Sequence, residues 1–171
     1  MKTRDLHRME ARHDLMKSHL IAPHRHDPYK ARGKLREPTV CNRCGAVFAE
    51  GRWQCLDSVP VDAAKQTCPA CLREDDKYPA GEVTLSGKFF QNHKDEIFAL
   101  IRNTQSNQSS EHPLSRIIEI ADGRDAAVIT TTDIHLPRRL GHALEHAYKG
   151  QFHIAYSEGE YFVKANWHRD A

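Results

Sequence analysis

Five cysteines occur in the 171 residues, and four of them form two Cys-x-x-Cys pairs, Cys41-Asn-Arg-Cys44 and Cys68-Pro-Ala-Cys71. Each pair sets two thiolates on one tight turn whose backbone amides can also donate to sulfur, and Gly45 suits the end of such a turn. Together they offer four soft ligands, the set that Zn²⁺ takes in a tetrahedral structural site. The 23 residues between Cys44 and Cys68 slightly exceed the usual ~15 to 20, which a long intervening hairpin accommodates. Four thiolates leave no coordination position open for substrate water, so such a site holds a fold together. A redox dithiol is the competing chemistry, and the presence of two matched pairs argues against it. Cys55 is left over, as buried filler or a free surface thiol rather than a fifth ligand.

Two further constellations could do chemistry. His142-Ala-Leu-Glu145-His146 has the H-x-x-E-H order of some zinc metalloproteases, with both histidines one turn apart on an expected helix. It needs a third ligand, and only His153, Glu158 and Glu160 follow closely, so an exposed polar helix face competes with it. Arg138 and Arg139 fall in the first turn of the same helix, beside Thr130, Thr131, Thr132, Asp133 and His135. Cations sit badly at a helix N-terminus unless an anion docks there, so a phosphate site and two merely solvated arginines both remain open.

The elements that position these groups fall into three parts. Residues 1–38 contain ten Lys and Arg against five acids, a net +5, and the remainder carries fifteen against eighteen, a net −3. With few large apolar side chains, 1–38 is expected as a flexible basic arm, in which Leu6, Met9, His13, Met16 and Leu20 could form one short amphipathic helix. Residues 39–81 carry the cysteine pairs and turn formers and read as a zinc ribbon.

From 82 to 171 the pattern predicts, in order, a strand at EVTLSG and a helix over about Lys88 to Asn103, ended by the polar run NTQSNQSSEHP as a loop. A hairpin of RIIEI and AAVITTT follows across Asp122-Gly123. Then come a helix with the stripe Leu136, Leu140, Ala143, Leu144, Ala147, and a hairpin of QFHIAYS and EYFVKANW that sets Phe152, Ile154 and Tyr156 on one face, with Phe162 or its neighbours on the facing strand. Asp133 or its neighbours can cap the second helix, and Gly150 can close it. The fold class is therefore α+β: a four-cysteine zinc ribbon followed by a ferredoxin-like βαββαβ sandwich with an extra C-terminal strand, two helices covering one sheet face and the other face open.

No apolar run approaches the ~20 residues needed to span a bilayer, and charges interrupt the start of the chain where a signal peptide needs an apolar stretch. A cytoplasmic protein with no membrane contact is expected, in a reducing compartment that favours thiolate metal sites over disulfides.

With CNRCGAVFAEGRW, CPACLREDDKYPAGEVTLSG and TTTDIHLPRRLGHALEHAYKG in view, the chain from about Cys41 to Trp167 resembles a family of bacterial zinc-ribbon proteins of uncharacterised function. More distantly, the ribbon followed by an α/β unit resembles the N-terminal part of the archaeal and eukaryotic large-ribosomal-subunit export adaptor. The resemblance implies zinc binding and contact with ribosomal RNA. A non-enzymatic, ribosome-associated RNA-binding protein is thus expected, with Zn²⁺ as cofactor and Arg32, Lys34, Arg36, Arg43, Arg52, Arg138 and Arg139 as nucleic-acid contacts. A protein-protein adaptor that uses the ribbon, and an H-x-x-E-H metallohydrolase, are the alternatives.

Overall fold

Strand β1 (Thr39–Cys41) is an inner strand of the first sheet and runs directly into the first cysteine turn, so the pairing of β1 fixes where Cys41 points. The structure is a computed structural model that describes residues 26–171; the short helix expected over Leu6 to Leu20 lies outside them. Strand β2 (Val47–Ala49) returns antiparallel to β1, and β3 (Arg52–Gln54) returns antiparallel to β2. Between β2 and β3 lie Glu50 and Gly51, both left-handed, with φ of 53° and 75°. Such a two-residue hairpin requires two positive φ values. Strand β4 (Ala64–Gln66) pairs parallel to the far side of β1, giving the order β3-β2-β1-β4 and delivering Cys68 beside Cys41.

Cys68 is the N-cap of helix α1 (Pro69–Asp76), with Pro69 at the first helical position, where its missing N–H costs nothing. The sequence of 39–81 shows little helical periodicity, and this helix is set by its cap and first-turn proline instead. Lys77, left-handed at φ 48°, closes it, and its amide returns to the Arg73 and Glu74 carbonyls.

The second sheet is built from β5 (Gly81–Ser86), β6 (Ile117–Asp122), β7 (Ala126–Thr131), β8 (Gln151–Tyr156) and β9 (Val163–His168). Helices α2 (Lys88–Asn92), α3 (Lys94–Glu111) and α4 (Leu136–Tyr148) accompany it. Every second residue of β5, β7 and β9 is buried: Val83, Leu85, Ala127, Ile129, Ala165 and Trp167 meet Phe90, Ile97, Ile101, Leu136, Leu140 and Leu144 from the helices. Gly141 allows α4 to lie on the Phe152 ring, which a Cβ there would overlap.

The order β6-β7-β5-β9-β8 corrects the ferredoxin-like expectation. The first half is a split βαβ, with β7 between β5 and β6. In the second half the strand after α4 stays at the edge, and β9 inserts beside β5, parallel to it. Burial explains the choice. Val163, Ala165 and Trp167 are at most 1 % exposed, whereas Phe152, Ile154 and Tyr156 of β8 are only partly covered. The strand with the fully apolar face takes the interior position, and the Trp167 indole N–H is satisfied by the Lys149 carbonyl at 2.8 Å. Of Phe162 and its neighbours, expected on the facing strand, it is Val163 that begins β9 and pairs with Tyr156.

Three further expectations change. The single helix over Lys88 to Asn103 is two helices that meet at His93, and the polar run after Asn103 is helical through Glu111. This last part extends beyond the sandwich core, so it has no apolar stripe to reveal it. Residues 26–38, expected within the basic arm, lie against the ribbon: Tyr29 is 8 % exposed and its hydroxyl donates to Asp76 at 2.9 Å.

The uncovered sheet face presents Glu82, Thr84, Ser86, Lys164, Asn166, His168 and His153, paired across the strands. The Phe, Tyr and Trp rings of β8 and β9 all fall on the other face, so of the aromatic side chains of these strands only the His153 and His168 imidazoles face this surface.

Candidate functional site

One sulfur from each of Cys41, Cys44, Cys68 and Cys71 lies within 4.8 Å of the other three. Cys41 ends β1, Cys44 sits in the turn that follows, Cys68 caps α1 and Cys71 is in its first turn. The Cys41 to Cys71 and Cys44 to Cys68 sulfur separations are both 3.8 Å. A tetrahedral ion bound to thiolates at ~2.3 Å has edges of about 3.8 Å, so the four residues fit one metal ion. A disulfide needs ~2.0 Å, and all five cysteines are free thiols.

The surroundings favour anionic sulfur. The Arg43 and Cys68 amides donate to Cys41 Sγ at 3.5 and 3.3 Å, and the Cys71 amide donates to Cys68 Sγ at 3.4 Å. Burial alone would raise the Cys41 thiol, but the backbone donors of Cys44, Cys68 and Arg43 bring it down to about 6. Burial pushes Cys68 and Cys44 up, and the other thiolates add to the rise by repulsion. Four charges this close therefore need a cation among them to ionise together.

One cation comes from the sandwich. Arg116, immediately before β6, donates through Nη2 to Cys71 Sγ at 3.3 Å and Cys68 Sγ at 3.7 Å, and Nη1 pairs with Glu74 at 3.5 Å. A second arginine binds the parts together from the ribbon side. Arg73, 1 % exposed, pairs with Asp27 at 2.7 Å, donates to the Tyr78 carbonyl at 3.0 Å, and lies 4.3, 5.9 and 5.5 Å from the rings of Tyr29, Tyr78 and Tyr161. Neither Arg73 nor Arg116 is identifiable from spacing, because their partners lie in distant segments.

A cleft of about 420 Å³ separates residues 27–37 from the outer ribbon hairpin. Lys30 and Lys34 line one wall, and Arg52, Phe48 and Trp53 line the other. The Phe48 and Trp53 rings meet edge to face at 5.6 Å. The structure brings the expected contacts Lys34 and Arg52 together here, with exposed Arg32 and Arg36 on the same segment as Lys34.

It does not bring the others there. Arg43 pairs with Asp75 on α1. Arg138 Nε donates to His142 Nε2 at 3.3 Å, one turn along α4. The N-terminal amides of His135 and Leu136 are taken by Asp133 Oδ1 at 3.2 and 2.8 Å, while the Thr131 and Thr132 hydroxyls donate to backbone carbonyls. That helix end already holds a carboxylate, so Arg138 and Arg139 do not converge with free amides on one anion there.

His142 and Glu145 approach at 3.5 Å on an exposed helix face, and among the described residues no third ligand joins them. Cys55 is exposed, with its sulfur 3.9 Å from the Ser109 carbonyl and outside the four-sulfur cluster. Among the described residues no helix is long and apolar enough to cross a membrane. Comparison of the chain with protein-family models, curated proteins and solved structures finds no match.

Proposed function

We propose that the chain is a zinc-held, cytoplasmic, non-enzymatic module that binds single-stranded RNA in the cleft between residues 27–37 and the ribbon hairpin. The observation that carries this is that Lys34, from the 27–37 segment, and Arg52, from the hairpin, line one cleft, with Phe48 and Trp53 on the hairpin side. Cations on both walls can neutralise successive phosphates, and exposed ring surface can stack bases at about 1–3 kcal/mol each. Zinc is the ion that four thiolates in a closed tetrahedron suit best, and its role is to hold β1, the first cysteine turn and α1 in register so that the hairpin stands rigidly against the 27–37 segment. Ribosomal RNA is the target class that the resemblance of the ribbon segments implies.

The test is a salt titration of the full zinc-loaded chain with short single-stranded RNA, joined to sucrose-gradient fractionation of a lysate. Binding that weakens steeply with salt, and co-migration with ribosomal particles that disappears at high salt, support the proposal. An absence of RNA binding at low salt contradicts it, and RNA binding without co-migration contradicts the ribosomal target.

A protein adaptor is the second reading. It is favoured by Leu56, Val59 and Val61, which are 41, 48 and 107 % exposed on the loop between β3 and β4. An adaptor would keep its partner affinity at high salt.

A further inference from the structure

The wall of the cleft formed by residues 27–37 is tied at its two ends to different parts of the ribbon. At one end Asp27 pairs with Arg73 at 2.7 Å and the Tyr29 hydroxyl donates to Asp76 at 2.9 Å, both partners lying on α1. At the other end the tie is to the strands. The Glu50 amide, from the turn between β2 and β3, donates to the Glu37 carboxylate at 2.7 Å, and the Thr39 hydroxyl of β1 donates to the Arg36 carbonyl at 2.6 Å. The Ala64 amide of β4 donates to the Pro38 carbonyl at 3.0 Å. Along the segment Lys30, Arg32, Lys34 and Arg36 are exposed, so it is a strap held by its ends.

The sulfur cluster joins the same two parts. Cys41 ends β1 and Cys44 follows it, whereas Cys68 caps α1 and Cys71 lies two residues before Arg73 and five before Asp76. Helix α1 has eight residues, too few to be stable by itself, and among the described residues it packs extensively against no other strand or helix. Its place is set instead by side chains: the cysteines and Arg116 toward its start, the strap toward its end. Pro69 and Leu72 of the same helix line the cleft, so a shift of α1 alters the cleft directly.

We infer that metal occupancy of the four cysteines decides whether the strap is docked, and so closes or opens the cleft. With zinc bound, α1 is ordered and presents Arg73 and Asp76 to Asp27 and Tyr29, which holds Lys34 in the cleft that Arg52 also lines. With the metal removed, the first turn of α1 loses what joins it to the first cysteine turn, the tie at Asp27 and Tyr29 is lost with it, and the strap swings from its remaining end. Linkage makes the effect reciprocal, since a docked strap must raise zinc affinity by the factor by which zinc favours docking. Docking of the strap does not depend on what the cleft binds, whereas its consequence for RNA rests on the RNA-binding reading of the cleft.

The test is limited trypsin digestion of the full chain, zinc-loaded and after chelation, with cleavage after Lys30, Arg32, Lys34 and Arg36 followed by mass spectrometry. These bonds are cut when the strap leaves its ties, so the rate reports the undocked population. Zinc removal should raise it at least about tenfold, within the usual range of coupling between two sites. Tyr29→Phe/Glu37→Ala, which cuts one tie at each end and leaves every cysteine in place, should undock the strap with zinc still bound. It should also lower zinc affinity, read by competition with a chromophoric chelator, by a similar factor, while Trp167 fluorescence shows the sandwich intact. Strap cleavage that is the same with and without zinc in wild type overturns the inference, as does wild-type zinc affinity in the double variant. For RNA, short single-stranded oligo(U) should bind the chelated chain more weakly than the zinc-loaded one. Equal oligo(U) affinity in the two states, with the strap released in one, overturns the gating of the cleft. No oligo(U) binding in either state overturns the RNA-binding reading alone, and strap docking then stands or falls on the trypsin and zinc results.

Discussion

Arg116 Nη2 lies 3.3 Å from Cys71 Sγ, so a side chain rooted in the sandwich donates to the sulfur cluster of the ribbon. Four thiolates around one divalent ion carry a net −2, and this guanidinium offsets part of it where water is largely excluded. Arg116→Met should therefore weaken metal binding by about 10- to 100-fold, the usual effect of removing a hydrogen-bond partner of a ligand. Competition with a chromophoric chelator measures it, and an unchanged affinity would mean the contact is incidental.

Metal removal should act locally. Structural zinc contributes an apparent ~10–16 kcal/mol that is inseparable from folding of its own module. The sandwich has its own core of Val83, Leu85, Ile129, Leu140 and Trp167. Wild type should hold one zinc per chain, and Cys71→Ser should hold far less and become sensitive to protease within 39–76. The Trp167 environment should persist in that variant. A Cys71→Ser protein with full zinc content and wild-type protease resistance would remove the metal assignment.

Asp27→Asn leaves the Arg73 charge buried among three tyrosine rings without its carboxylate. Breaking a buried pair from one side costs about 3–5 kcal/mol, and the partial exposure of Asp27, 21 % at its side chain, places this one toward the lower end. Arg73→Met, which removes the charge as well, should cost less. Denaturant melts of both variants check the order, and the reverse order would show that the pairing contributes little.

These two arginines mark the boundary of what is legible in the sequence. The four ligands are readable because a cysteine turn is a local device whose spacing carries its chemistry. Cap residues are readable for the same reason, as Asp133 at the start of α4 shows. The strand order is not, since β9 follows β8 by a hairpin whichever of them pairs with β5, and only relative burial decides. Arg73 lies 46 residues from Asp27, and Arg116 lies 45 from Cys71, so no periodicity connects them. Residues 26–38 have the composition of a solvated arm because a single buried Tyr29 and one ion pair anchor them, too little apolar content to register.

Tyr161 gives a pH test of the same junction. Burial, then the charges of Asp27 and Asp133, raise its hydroxyl to about 12, partly offset by Arg73. The folded value exceeds the unfolded one, so this contribution to stability is complete below about pH 10 and disappears as pH rises through about 12. Tyr161→Phe should therefore show a shallower fall in Tm between about pH 10 and 11 than wild type. Parallel falls would show that Tyr161 ionises as readily folded as unfolded.

The most direct test of the central claim is equilibrium binding of a short single-stranded RNA to the zinc-loaded chain at two salt concentrations, comparing wild type with Lys34→Gln/Arg52→Gln. Each phosphate neutralised on a single strand contributes about −0.7 to the slope of log K against log salt. Removing one cation from each wall of the cleft should weaken binding at low salt and flatten that slope by about 1.4, with thermal melts unchanged. Equal affinity and equal slope for the two proteins would contradict the account.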